Sequence, residues 1–292
     1  MFSSMAIVTL VALGVSPYAD ASVSGGIERN ASHGTSSAAT VDAAYVGIEA
    51  WAGLAQGLWS NADADAEVGY SGSHYPELGE LSYHAPGAIL ALRQRLGRSW
   101  RLRLDTGYSL RVQADPARDG AMGRAGASLA YELTEWLRVR AGVGVSKRWA
   151  EDDLYAYDAV RGRGALSARV GEHLALDLAY AVELTSSSYA MTVEAAAASG
   201  AQALEGSGSR AGGGAGGGVR APRTQSARTD STFGRDLYVY KDDSLAHTVT
   251  AELTYTPLEW LLTSLAAGWT LSTGDADDYT TMFAELRCGV RY

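Results

Sequence analysis

The sequence predicts an all-β fold, a transmembrane antiparallel up-and-down β-barrel of about ten strands, with twelve as the alternative. Three observations predict it. Apolar residues alternate with small or charged ones at a period of two through segment after segment from Val41 onward, the pattern of strands that meet an apolar medium on one side and a polar interior on the other. Hydrophobic residues make up 47% of the 292 positions, yet beyond the N-terminus no unbroken apolar run is long enough to cross a bilayer as a helix. Aromatic usage leans to rings with a polar tip, 16 Tyr and 7 Trp against 3 Phe, which suits membrane boundaries.

Taken in order, the chain opens with a short apolar stretch, Ala6 to Val15, followed by small residues at Ala19 and Ala21. This spacing predicts a secretory signal, 1–21, cleaved after Ala21, although Met1 to Met5 carries no Lys or Arg. The Ser, Gly and Ala-rich residues 22–40 follow as a leader segment, and the barrel is expected over 41–292. Val46, Ile48, Ala50, Ala52 and Leu54 make the first outward face, opposite Tyr45, Gly47, Glu49 and Trp51. Asn61 to Leu81 reads as a polar, turn-rich link, and the count rises to twelve if Ser22 to Arg29 and Glu67 to Gly72 form strands of their own.

From Ile89 the alternation is most regular. Trp100, Leu102, Leu104, Thr106, Tyr108, Leu110 and Val112 share one face, and Arg101, Arg103, Asp105, Gly107, Ser109 and Arg111 the other. The unit repeats at Arg124 to Leu133, Leu137 to Ser146, Leu166 to Val170, Leu174 to Leu184, Leu245 to Tyr255, Leu261 to Leu271 and the final stretch. Short links such as Thr134-Glu135-Trp136 and Gly171-Glu172-His173 alternate with longer polar ones such as Gln113 to Gly120 and Glu151 to Tyr155. Short turns at one end and longer loops at the other place the turns on the periplasmic side, and an even strand count puts both ends of the barrel there.

The last stretch, Thr281 to Tyr292, sets Met282, Leu286, Val290 and Tyr292 on one face with Ala284 and Cys288, and Phe283, Glu285, Arg287, Gly289 and Arg291 on the other. It resembles the C-terminal strand of bacterial outer-membrane β-barrels. That resemblance implies an outer-membrane location, contact with lipid and lipopolysaccharide, and an assembly signal read by the barrel-assembly machinery on Met282, Leu286, Val290 and Tyr292. Tyr45 to Tyr70, an apolar strand followed by Gly57-Leu58-Trp59, an acidic stretch and Gly69-Tyr70, resembles the opening of the TorF-like porins. The soluble alternative is an antiparallel, lectin-like sandwich.

The net charge of −9 excludes nucleic acid as an expected partner, since no basic field is available to displace counterions from phosphates. Cys288, the one cysteine, has no partner for an internal disulfide and sits on the apolar face. No cofactor or metal is expected, and the sequence does not indicate an oligomeric state.

The inward face carries the functional expectation. It holds Arg93, Arg95, Arg101, Arg103, Arg111, Arg124, Arg138, Arg140 and Arg169, with Asp105, Glu132, Asp177, Glu183, Glu252 and Glu285 on the same surface. Glu132 is expected directly opposite Arg138, and Arg169 diagonal to Asp177. An arginine wall facing an acidic wall suits a narrow porin-like channel for small solutes. The alternatives are a lumen filled by its own paired charges, and a non-conducting surface or structural barrel whose external loops bind a partner.

No catalytic residues are expected. His74 and His84 fall near Asp63, Asp65 and Glu67 without a spacing that ties them together, His173 sits in a turn and His247 on an apolar face. The acidic links Glu151 to Asp153 and Asp275 to Asp278 lack the glycine and terminal Glu of a calcium loop. The long external loop, 188–243, is Gly-rich and locally basic through Arg210, Arg220, Arg223 and Arg228, and reads as disordered apart from a short helix expected at Val193 to Leu204.

Overall fold

Strands joined by short links pair antiparallel with their sequence neighbours, and this chain has little else. The computed structural model describes residues 15–31, 40–192, 227–230, 237–274 and 278–292. The strands are β1 (Val15–Arg29), β2 (Ala43–Trp59), β3 (Ala62–His74), β4 (Tyr83–Leu96), β5 (Trp100–Gln113), β6 (Gly120–Glu132), β7 (Leu137–Ala150), β8 (Tyr157–Val170), β9 (Leu174–Thr192), β10 (Ala227–Asp230), β11 (Leu237–Leu258), β12 (Leu261–Gly274) and β13 (Asp278–Arg291). Two pairings close the sheet: β1 with β13, from Asp20↔Arg291 to Arg29↔Met282, and β9 with β11, from Leu237↔Thr192 to Tyr255↔Leu174. The short β10 pairs with β11 alone, so the other twelve described strands form the barrel.

Twelve replaces the main expectation of about ten, and both added strands fall where the alternative count placed them. Ser22 to Arg29 belongs to β1 and Glu67 to Gly72 to β3. The wall therefore begins before Val41. β1 shows only Val23 and Ile27 as large outward residues, because Ala19, Ala21 and Gly25 fill the positions between, and this thins the apolar signal. In β3 the acidic residues Asp63, Asp65 and Glu67 alternate with Ala64, Ala66 and Val68, so a segment that reads as a polar loop is a strand with its acids turned inward. Residues 1–14, which hold most of the expected signal, lie outside the described residues, as does the helix expected at 193–204.

The tight turns have local causes. Gly97 and Gly171 adopt φ of +74° and +76°, the left-handed region where a Cβ is strained. At the β6–β7 turn, Thr134 Oγ1 accepts from the Leu137 N–H at 3.0 Å. At the other end, Asn30 takes φ of +61° and is held by the Asp42 carboxylate, which accepts from its N–H at 2.9 Å, while its own amide donates to the Thr280 carbonyl at 2.9 Å. Within the expected long loop, β9 and β11 continue past the last β8 pairing, Ala159↔Thr185, as a ribbon joined by β10.

The outer face is apolar and ringed. Val46, Leu90, Leu104, Val143, Leu178, Leu253 and Leu286 are all exposed on it. Trp100, Trp136, Tyr255 and Trp260 mark the tight-turn end, and Tyr108, Tyr180 and Trp269 lie higher. Eight residues of tilted strand separate Trp100 from Tyr108, a climb of roughly 20 Å and close to the apolar band of such barrels.

The lumen is filled unevenly. On the side of β1–β3 and β12–β13, inward rings lie over glycines of the neighbouring strand: a Cβ on Gly26 would sit 2.7 Å from the Tyr45 ring, and one on Gly69 would run into the Trp51 ring. Rings over glycine stabilise and fill that half. Two small apolar clusters sit at the long-loop end. Leu78 packs on Ala43, Val41 and Tyr75, and Leu154 and Tyr155, in the 3-10 turn Asp153–Tyr155, pack on Ala117 and Ala150.

Candidate functional site

The half of the barrel without those rings encloses a cavity of about 910 Å³. Its lining includes Arg93, Arg95, Arg101, Arg103, Arg124, Arg138, Arg140, Arg161 and Arg163, against the carboxylates Asp63, Asp105 and Glu183. Strand alternation explains the set: on β4 to β8 the positions opposite the lipid-facing residues carry mainly Arg, Ser, Ala or Gly, with Ile89, Asp105, Met122 and Glu132 among them, so long cations project past mostly small neighbours.

The register arranges the arginines in rows. Arg95 lies opposite Arg101, and that row continues through Ala130 to Arg140. Two residues further along, Arg93 lies opposite Arg103, and its row runs through Ser128 and Gly142 to Arg163. Carboxylates offset part of this charge. Glu132 Oε1 accepts from Arg101 at 2.7 Å and from Arg138, its register partner, at 3.0 Å. Arg93 reaches Asp65 at 3.0 Å, Arg103 reaches Asp105 at 3.4 Å, and Arg161 lies 3.9 Å from Glu183. Asp65 is the deepest of these acids, with a side chain only 2% exposed. Among the described residues no carboxylate lies within 4.0 Å of Arg95, Arg124, Arg140 or Arg163.

The remaining expected charges are placed differently. Arg111 stands near the long-loop mouth with its guanidinium 3.8 Å from the centre of the Tyr83 ring. Arg169 is opposite Ala175, and Asp177 takes a hydrogen bond from Ser167 instead of pairing with Arg169. Glu252 is the direct neighbour of Asp177 across β9 and β11, and no arginine stands opposite either. Glu285 accepts from the Tyr45 hydroxyl at 2.6 Å and from Arg287 at 3.0 Å, on a second cavity of about 280 Å³ that also holds Glu28, Glu49 and Tyr75. Tyr75, in the link after β3, has its phenol raised above the ordinary range by burial and then by the Glu28 charge, so it stays neutral. Apart from Arg287 on β13, the lumen arginines thus occupy β4 to β8, accompanied there by Asp105 and Glu132, and the acids of β9, β11, β13 and β1 to β3 occupy the rest of the circumference. Met282, Leu286, Val290 and Tyr292 all face outward, and Tyr292, 92% exposed, exchanges backbone hydrogen bonds with Ala19 across the closing seam.

Arg161, Arg163 and Arg148 are site residues that the sequence reading missed. Gly162 and Gly164 occupy the outward positions between the β8 arginines, so no apolar face announced the strand, although Arg-Gly-Arg-Gly was itself a period-two signal. Arg148 donates to Gln113 at 2.8 Å and to the Arg118 carbonyl at 2.7 Å, tying the 3-10 turn Pro116–Arg118 over the mouth, where Arg118 lies 4.4 Å from the centre of the Tyr155 ring. Asp152, in the acidic link, caps that neighbouring turn by accepting from the Leu154 N–H at 2.9 Å. Two of the described histidines lie on the outer face: His84 bonds Tyr70, and His247 bonds Tyr180 at 2.7 Å.

Glu132 supplies a direct test of the charge balance. Glu132→Gln is expected to cost under about 1 kcal/mol, since Arg101 and Arg138 are partly solvated. It is also expected to raise the preference for anions; urea unfolding and the zero-current potential check the two effects.

No family model and no curated protein matches the sequence. Among solved structures, an outer membrane channel from Pseudomonas putida F1 is similar at a TM-score of 0.55 and 8% identity, covering 94% of this chain and 95% of that one. The NanC porin is similar at a TM-score of 0.47 and 10% identity, covering 92% and 98%. At such identities the likeness concerns fold, and the first of the two carries it. The chain has the fold of the bacterial outer-membrane β-barrels in a twelve-stranded form, as its terminal strand leads one to expect.

Proposed function

We propose that the protein is a narrow, non-enzymatic channel of the outer membrane that passes small solutes and favours anions. One observation carries the reading: the open part of the lumen is a cavity of about 910 Å³ lined by nine arginines and three carboxylates. Rings of arginine select anions by lowering the cost of shedding water beside fixed positive charge. A twelve-stranded barrel lies between the small barrels that side chains fill and the large ones that hold a wide aqueous channel, so a constricted path fits its size. That the Pseudomonas putida structure is described as a channel supports the reading.

The second reading is a non-conducting surface barrel. It draws on Leu154 and Tyr155, buried at the long-loop end against Ala117 and Ala150, and on the ring-filled half of the lumen. Single-channel recording of the refolded chain, with insertion verified by heat-modifiable gel migration, separates the two. Steady unitary steps support the channel, and silence from inserted protein rejects it.

A further inference from the structure

Directly opposed like charges weaken a strand pair, and here two such pairs stand side by side: Arg93 against Arg103 and Arg95 against Arg101. The barrel's own acids answer only part of this. Asp65, Asp105 and Glu132 reach Arg93, Arg103 and Arg101, whereas Arg95 and the arginines that continue the two rows, Arg140 and Arg163, have no carboxylate among the described residues within reach. All three line the same cavity. Arg140 and Arg163 are diagonal neighbours on β7 and β8, about 7 Å apart along the strands, and Arg95 faces the same cavity from β4, three strands from Arg140. A guanidinium offers a planar fork that matches two oxygens of a carboxylate or phosphate. A chloride ion carries a single charge and is too small to span two rows about 7 Å apart. A solute with two or more charges engages several across both rows, offsetting the repulsion that the fold leaves in place.

We propose that Arg95, Arg140 and Arg163 form a binding station for a small oxyanion bearing two or more negative charges, either a di- or tricarboxylate or a phosphate. The station makes the lumen saturable by such solutes. Its effect on current rests on the channel reading, while its binding does not.

The probes are citrate, inorganic phosphate and acetate, applied to the refolded full chain. Binding is read by calorimetry on detergent-solubilised protein that shows heat-modifiable migration, and block of the chloride current is read in bilayers. Citrate or phosphate is expected to bind and block at a concentration at least about tenfold below that for acetate. The triple variant Arg95→Gln, Arg140→Gln, Arg163→Gln is expected to lose that difference. Arg140→Lys, which keeps the charge without the fork, serves where the triple variant does not fold, and is expected to narrow the difference between citrate or phosphate and acetate. Tighter citrate assigns the station to carboxylates, and tighter phosphate to phosphates. Equal, weak action of all three probes, or binding unchanged in these variants, overturns the station. Binding without current overturns the channel and leaves the station standing, and current without preference among the probes does the reverse.

Discussion

Deleting Val15–Arg29 is expected to abolish folding of the barrel. β1 is the strand that joins β13 to β2: without it, β13 and β2 each expose an unpaired edge, and an open edge in lipid leaves backbone N–H and C=O groups unsatisfied at several kcal/mol each. Loss of the folded, heat-modifiable band on refolding into liposomes is the expected readout. Retention of that band would mean that the segment is the leader its composition suggests. A smaller truncation tests the export proposal alongside it. Cleavage after Ala21 keeps Ser22↔Gly289 through Arg29↔Met282 paired. It also frees Ala50 to Gln56 of β2, so a chain beginning at Ser22 is expected to fold with a lower stability than one beginning at Val15, and N-terminal sequencing of exported protein is expected to start at Ser22.

Two adjacent residues give the second large effect. Leu90, 58% exposed at the middle of β4, faces outward, and Ile89 faces the lumen opposite Glu67. Leu90→Arg is expected to cost about 2–4 kcal/mol of stability, the cost of a cation at the bilayer midplane. Ile89→Arg gains an acidic neighbour in a polar lumen and is expected to cost far less. Urea unfolding from liposomes measures both. Equal costs would mean that the face assigned to lipid is not in lipid.

Legibility in the sequence followed the contrast between the two faces of each strand. β5 and β12 could be read because their outward positions hold mostly large apolar residues, from Trp100 to Val112 and from Leu261 to Leu271, interrupted only by Thr106, Thr263 and Ala267. β1 and the upper half of β8 could not, since Ala21, Gly25, Gly162 and Gly164 occupy outward positions and leave little to alternate. The Glu132 to Arg138 pair was legible because a short turn fixes its register, and Arg169 and Asp177 are diagonal neighbours as the Gly171 turn predicts, although the Asp177 carboxylate takes its hydrogen bond from Ser167, which stands directly opposite. Closure of the barrel is invisible locally. Tyr45 meets Glu285, 240 residues away, only because β1 joins the two ends of the sheet. The division of the lumen into a ring-filled acidic half and an open arginine half follows from that closure.

The most direct test of the central claim is the zero-current potential of the refolded protein across a KCl gradient in a planar bilayer. A channel through the arginine-lined cavity predicts a potential of the sign carried by chloride, reduced when Arg140 and Arg163 are neutralised. Cation selectivity, or selectivity unchanged by those substitutions, would contradict it.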